Sequence, residues 1–279
     1  MGSESDTELL RKTVAWWTTS IIDIHPGKIG IRGHPIQELI GSVSFVEMIW
    51  LMLRGARPTP QHCALLEAAL VASVDHGPQA PSIAIARMAM TCGVELNTAV
   101  ASATGVLGEV HGGAGQLCMT LFDWVRNEPG AAEHLPDAVD RVLTRFVAEH
   151  GKIFPGYGHR FHPIDPRTEP LLSMVERAAE SGHVSGRYAA IGREVEAGIL
   201  RRTGKPIPMN IDGATAVIFS ELGFAPPLGR GLFILSRSVG ILAHAWEQFQ
   251  QGGRNKGPMP REIPYTYSGP PTSSGTSSD

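Results

Sequence analysis

The stretch "TPQHCALLEAALVASVDHGPQAPS", residues 59–82, holds the unit from which this chain is built. Its Thr-Pro opening is a helix start. A threonine hydroxyl can accept a first-turn N–H, and proline brings a fixed φ and no donor to leave unpaired. Leu65, Leu66, Ala69, Leu70 and Ser73 then recur at helical spacing, which predicts one apolar face. "DHGPQAPS" ends the helix with a glycine and two prolines. The unit is a helix followed by a break, and the break carries a histidine, His76.

Working outward, the pattern recurs. Helical periodicity is predicted in "SIAIARMAM", "LNTAVASATGVLGEV", "GAGQLCMTLFDWVRN", "LPDAVDRVLTRFVAEH", "TEPLLSMVERAAES", "GRYAAIGREVEAGILRRTG", "GATAVIFSELG" and "PLGRGLFILSRSVGILAHAWEQFQQ". Upstream, "SIIDIHPGKIGIRGHPIQELI" alternates around Pro26-Gly27 as a small β-hairpin, with a helix after Pro35. The fold class is all-α with a short N-terminal β-hairpin. From residue 265 to 279 the chain is mostly Ser, Thr, Gly and Pro with little to bury, and a disordered tail is expected.

Composition narrows the partners. With 279 residues the chain can bury a large core, and a net charge of −3 offers no general attraction to nucleic acid or an anionic membrane. Any anion must be met locally. Three cysteines, Cys63, Cys92 and Cys118, are too few and too scattered for a disulfide framework or a zinc site. The start is polar and acidic, and no apolar run is long enough to cross a membrane. A cytoplasmic protein is expected, with no metal and no cofactor.

Chemistry concentrates at four breaks. "VDHGPQAPS" carries His76, and "GEVHGGAG" places His111 just before the small residues that open a helix, where free N–H groups favour a neutral imidazole. "IFPGYGHRFHPIDPR", residues 153–167, presents His159 and Arg167 on a segment that two prolines keep out of a helix. Its glycines, 156 and 158, are read as leaving the backbone open to a ligand. "PMNIDGATA" places Asp212 at a helix start, where it could simply be the N-cap. Arg237 is a charge inside an apolar helix, which implies a carboxylate partner from the chain or from a substrate. His25, His34, His162 and His244 show no chemical partner and are read as structural or exposed.

In their order along the chain, "GEVHGGAG", "PGYGHRFHPIDPR", "MNIDGATAVIFSELG" and "FILSRSVGILAHAWEQ" resemble the citrate synthase family. "VDHGPQAPS", "NIDG" and the short interval before "VDHG" are more similar to the citryl-CoA lyase module of ATP-citrate lyase and to stand-alone citryl-CoA lyases. The resemblance spans about residues 20–260. It implies a large helical domain (residues 1–114 and 223–264) with a smaller helical domain inserted at 115–222. It also implies roles. Asp212 moves a proton at the carbon next to a thioester, His111 holds the enolate oxygen, and His159 meets the partner carbonyl. His76, Arg167 and Arg237 bind oxo-acid carboxylates, and Pro155, Gly156, Tyr157 and Gly158 lend backbone to the adenine end of CoA. These residue types suit making or breaking a carbon–carbon bond beside a thioester.

The implied activity is cleavage of citryl-CoA, or a close 3-hydroxy-acyl-CoA analogue, to acetyl-CoA and oxaloacetate. Citrate synthase chemistry is the alternative, and a non-catalytic CoA-binding protein is a third reading. The resemblance also implies a homo-oligomer, at least a dimer, with a basic residue reaching the neighbouring site. The family's arginine falls near Gly257, so either Arg254, Lys256 or Arg261 is expected in its place, or a substrate with one carboxylate fewer. Pro163 stands where the family often has a basic contact to CoA phosphate.

Overall fold

The computed structural model describes residues 3–260 and 262–270. Arg261 and the last part of the expected tail, 271–279, lie outside the described residues. Residues 265–270 are exposed and carry no helix or strand.

The chain begins with α1 (Ser3–Trp16), followed by a three-stranded antiparallel sheet, β1 (Ile22–His25), β2 (Lys28–Ile31) and β3 (His34–Pro35). The expected hairpin is present, with Ile24 opposite Ile29 and His25 opposite Lys28, and it gains a third strand where Ile31 pairs with His34. Helices follow: α2 (Ile36–Leu39), α3 (Phe45–Arg54), α4 (Pro60–Ser73), α5 (Pro81–Thr91), α6 (Leu96–Gly105), α7 (Ala114–Asn127), α8 (Leu135–His150), α9 (Thr168–Glu180), α10 (Arg187–Thr203), α11 (Ile211–Glu221) and α12 (Pro226–Gln251).

The starts of these helices obey local chemistry. Thr59 caps α4 by accepting the His62 N–H at 3.1 Å with Pro60 in the first position, as its sequence predicts. Ser44 and Glu47 form a reciprocal capping box at α3. Leu65, Leu66, Ala69 and Ser73 of α4 are buried.

Packing divides the chain into two units. The first comprises the described residues up to Val74 together with Gly108–Arg237. At its centre α11 is buried on every side from Gly213 to Ser220 and packs on α4, α7, α9 and α10. A helix apolar all round needs such a cage of neighbours. Phe122, Phe146, Leu172, Val195 and Val217 fill the space around it. The second unit comprises Asp75–Leu107 and the chain from Ser238, with α5 against α6 and buried Ile83, Ala86, Ala99 and Ala103. This grouping differs from the expected insertion at 115–222. The helices of that segment share one core with α4, through α11 and α9, and so belong to the same packed body as the N-terminal part.

Candidate active site

The first unit gathers five of the six residues expected to carry chemistry or bind the oxo acid: His111, His159, Arg167, Asp212 and Arg237. Asp212 lies in the first turn of α11. The N-cap is Asn210, whose extended backbone lets Oδ1 accept the N–H groups of Asp212 at 2.9 Å and Gly213 at 3.3 Å. The simple capping role considered for Asp212 is therefore taken by another side chain, and the Asp212 carboxyl is released for other work. Burial raises its proton affinity above the ordinary carboxylate value, Arg167 and Arg237 pull it back down, and Asp165 pushes it up again. A carboxyl in such surroundings can hold a proton and give it up.

His111 sits on the turn before α7, whose N-cap is Gly113. Burial and the Arg237 guanidinium both lower its proton affinity, so its ring is neutral near pH 7. His159 is lowered as well, by burial first, with His162 and Arg167 acting the same way and Asp165 opposing. Its Nδ1 accepts the Phe161 N–H at 3.0 Å and the His162 N–H at 3.1 Å. A nitrogen that accepts cannot carry the hydrogen, so the neutral ring bears its proton on Nε2 and is a donor there.

The two arginines converge on the end of α4. Arg237, 6% exposed, donates from Nε to the Ser73 carbonyl at 3.1 Å and lies over the Phe233 ring. Arg167 reaches the Ala72 carbonyl from Nη1 at 3.4 Å. The neighbour the sequence reading missed is Asp165, whose carboxylate pairs with Arg167 through Nε at 2.9 Å and Nη2 at 2.8 Å. An aspartate two residues before an arginine, across a proline, is the spacing that points to it, since such a side chain folds back on the following backbone.

The reading of Gly156 and Gly158 as open backbone is corrected. Tyr157 pairs with Met209 in an isolated antiparallel bridge, the Gly156 carbonyl accepts the Asn210 N–H at 2.9 Å, and the Gly158 N–H donates to the Pro208 carbonyl at 2.7 Å. Pro155, Gly156 and Tyr157 are buried, and the Tyr157 hydroxyl donates to the Gly192 carbonyl at 2.8 Å. A Cβ on Gly156, at φ +82°, would stand 2.6 Å from Cys118 Sγ and 2.8 Å from Gly213 Cα. The glycine permits close approach to α11, so this segment anchors the helix that carries Asp212; its exposed part begins at Arg160.

His76, Arg254 and Lys256 belong to the second unit. His76 is exposed on a turn in which Asp75 Oδ2 accepts the Gly77 N–H at 3.1 Å. His244, read as lacking a partner, meets that same Asp75 oxygen from Nε2 at 3.3 Å and Arg87 at Nδ1. Arg254 and Lys256 are exposed, on a segment pinned where Asn255 N–H and Lys256 N–H bond to Thr91.

The site brings the Asp212 and Asp165 carboxyls, two neutral imidazoles and two guanidiniums into one unit. The sequence model of the citrate synthase C-terminal domain matches residues 51–257, and the chain belongs to the citrate synthase family. It is 31% identical over 202 residues to the citrate synthase of Deinococcus radiodurans, covering 71% of this chain and 51% of that protein. The chain spans about half the length of the curated citrate synthases it matches. Among solved structures, the citryl-CoA lyase of Hydrogenobacter thermophilus superposes with a TM-score of 0.78 at 32% identity, covering 91% of this chain and 96% of that one. The ATP citrate lyase of Methanothrix soehngenii, solved with citrate and coenzyme A, shares the fold at a TM-score of 0.74 and 19% identity, covering 91% of this chain and 42% of that one.

Proposed function

We propose that this protein is a citryl-CoA lyase-like enzyme that cleaves citryl-CoA, or a close analogue, to acetyl-CoA and oxaloacetate. The observation that carries the reading is the grouping of Asp212, His111, His159, Arg167 and Arg237 in one unit, on a chain that matches a citryl-CoA lyase over 96% of that chain's length. The reaction asks for three things, and the residues supply them. When the bond to the 3-hydroxyl carbon breaks, its electron pair becomes a thioester enolate, and the Asp212 carboxyl, whose proton affinity is raised, delivers a proton to the enolate carbon. His111, neutral, holds the enolate oxygen by an N–H. The 3-hydroxyl gives up its proton to solvent as its oxygen becomes a carbonyl, His159 holds that oxygen by donating from Nε2, and Asp212 recovers its proton from solvent. Arg167 and Arg237 take the carboxylates of the oxo acid.

The test is incubation of pure protein with citryl-CoA while oxaloacetate is followed through malate dehydrogenase. Released oxaloacetate supports the lyase. Free citrate as the sole product supports a citrate synthase, the reading that the likeness to the Deinococcus protein favours. Tight acyl-CoA binding without turnover of any 3-hydroxy-acyl-CoA leaves only a binding protein.

A further inference from the structure

Asp165 has no role in the reaction as set out above, yet its carboxylate is fully buried and makes four directed contacts. Oδ1 accepts the Arg167 N–H at 3.1 Å and Nε at 2.9 Å, while Oδ2 accepts Nη2 at 2.8 Å and the Ile211 N–H at 3.0 Å. Ile211 is the first residue of α11, directly before Asp212. One carboxylate thus holds the guanidinium of the loop 153–167 and the backbone beside the proton donor.

We propose that Asp165 is a positioning residue that ties Arg167 to Asp212, so that the oxo-acid-binding guanidinium and the proton-transferring carboxyl are oriented as one piece. The inference rests on the catalytic reading of Asp212. With its Nε and Nη2 edge occupied by Asp165, Arg167 can offer a ligand only the outer edge formed by its two terminal nitrogens. Two parallel N–H groups on that edge match one carboxylate, and their direction is fixed by the pair behind them. At α11, Asp165 supplies the acceptor for a first-turn N–H that helix geometry leaves without an internal partner.

The carboxylate also acts by its charge. Asp212 feels Arg167 and Arg237, which favour its ionised form, and Asp165, which favours its protonated form; Cys118 on α7 is the further titratable group coupled to it. In the cleavage direction the protonated form is the working one. Removing the charge at Asp165 takes away a repulsion and frees Arg167 of its counter-ion, and both changes move Asp212 toward ionisation at lower pH.

A turn-stabilising aspartate alone would leave the pH dependence of turnover where it is, which separates the two roles. Citryl-CoA cleavage is measured across pH for wild type, Asp165→Asn, Asp165→Glu and Asp212→Asn. In Asp165→Asn the KM rises about tenfold or more, as expected for a misaimed guanidinium, and the alkaline limb of kcat moves to lower pH. In Asp165→Glu the charge remains but the carboxylate is displaced by a methylene, so the limb stays while KM rises. A folded Asp165→Asn with wild-type KM and wild-type limb, beside an inactive Asp212→Asn, overturns the inference alone. An active Asp212→Asn overturns the catalytic reading and this inference with it. Should Asp165→Asn fail to fold, wild-type KM in Asp165→Glu is sufficient to reject the positioning role.

Discussion

Gly156→Ala tests whether the loop 153–167 is built onto α11 or merely lies beside it. Two costs arise at once. At φ +82° an alanine is held in the left-handed region, which costs an L-residue roughly 1–2 kcal/mol. Its Cβ would also stand 2.6 Å from Cys118 Sγ, 2.8 Å from Gly213 Cα and 3.0 Å from Gly213 N. None of these is the flexible tip of a side chain: one is a buried sulfur and two are helix backbone, so the loop must lift. Overpacking of that kind costs about 1–3 kcal/mol, which brings the total to roughly 2–5 kcal/mol. Gly55→Ala supplies the control, because Gly55 is left-handed at φ +78° and has open space where its Cβ would be. Urea unfolding of both variants, with the slope unchanged, isolates the packing cost as the difference between them. Turnover reports the same displacement, since moving His159 relative to Asp212 by about 1 Å can cost on the order of 100-fold in rate. Gly156→Ala no less stable than Gly55→Ala, with wild-type turnover, would refute the reasoning.

Three other outcomes follow from the site. Asp165 is held at about 2 against an ordinary 3.8, which corresponds to about 2 kcal/mol of stability. That stability is present in full above about pH 4 and is lost as pH falls toward about 2, so thermal melts of Asp165→Asn should lack this acid limb; the same acid limb in variant and wild type would exclude the ion pair as its source. Asp212 has the opposite sign: its raised proton affinity means that ionisation subtracts stability as pH climbs through and above the usual carboxylate range. Asp212→Asn should thus melt at or above the wild-type temperature at pH 7 while turnover falls by roughly 10²–10⁴-fold, and a melting temperature well below wild type would contradict the role of burial. For assembly we expect at least a dimer by sedimentation. Mixing Asp212→Asn chains with chains lacking Arg254, Lys256 or Arg261 should restore part of the activity, and a fully active monomer would exclude a shared site.

The helices were legible because their signals are local. Thr59-Pro60 marks the start of α4, the stripe through Leu65, Leu66 and Ala69 marks its buried face, and α8 spans Leu135–His150 as its periodicity predicts. The breaks were legible for the same reason, and they drew attention to His111, His159 and Asp212 through the small residues and prolines around them. The alternation around Pro26-Gly27 likewise announced the strands, although the third strand, only two residues long, left no period to read.

Other features depend on residues distant in sequence. Sequence alone left open whether Asp212 caps its helix or does chemistry, and the structure assigns the cap to Asn210 because its backbone is the extended one. It offered Gly156 as an open backbone, whereas packing against Cys118 and Gly213 makes it a close crossing of loop and helix. It passed over Asp165, whose meaning depends on an N–H 46 residues away at Ile211. It left unsaid which helices share a core, and the packing of α11 on α4, α7, α9 and α10 is what joins them. Caps, turns and periodicity act within a few residues and are written in the order of the chain. Close approach, burial and the sharing of one carboxylate between a loop and a helix act through space, so only the folded arrangement decides them.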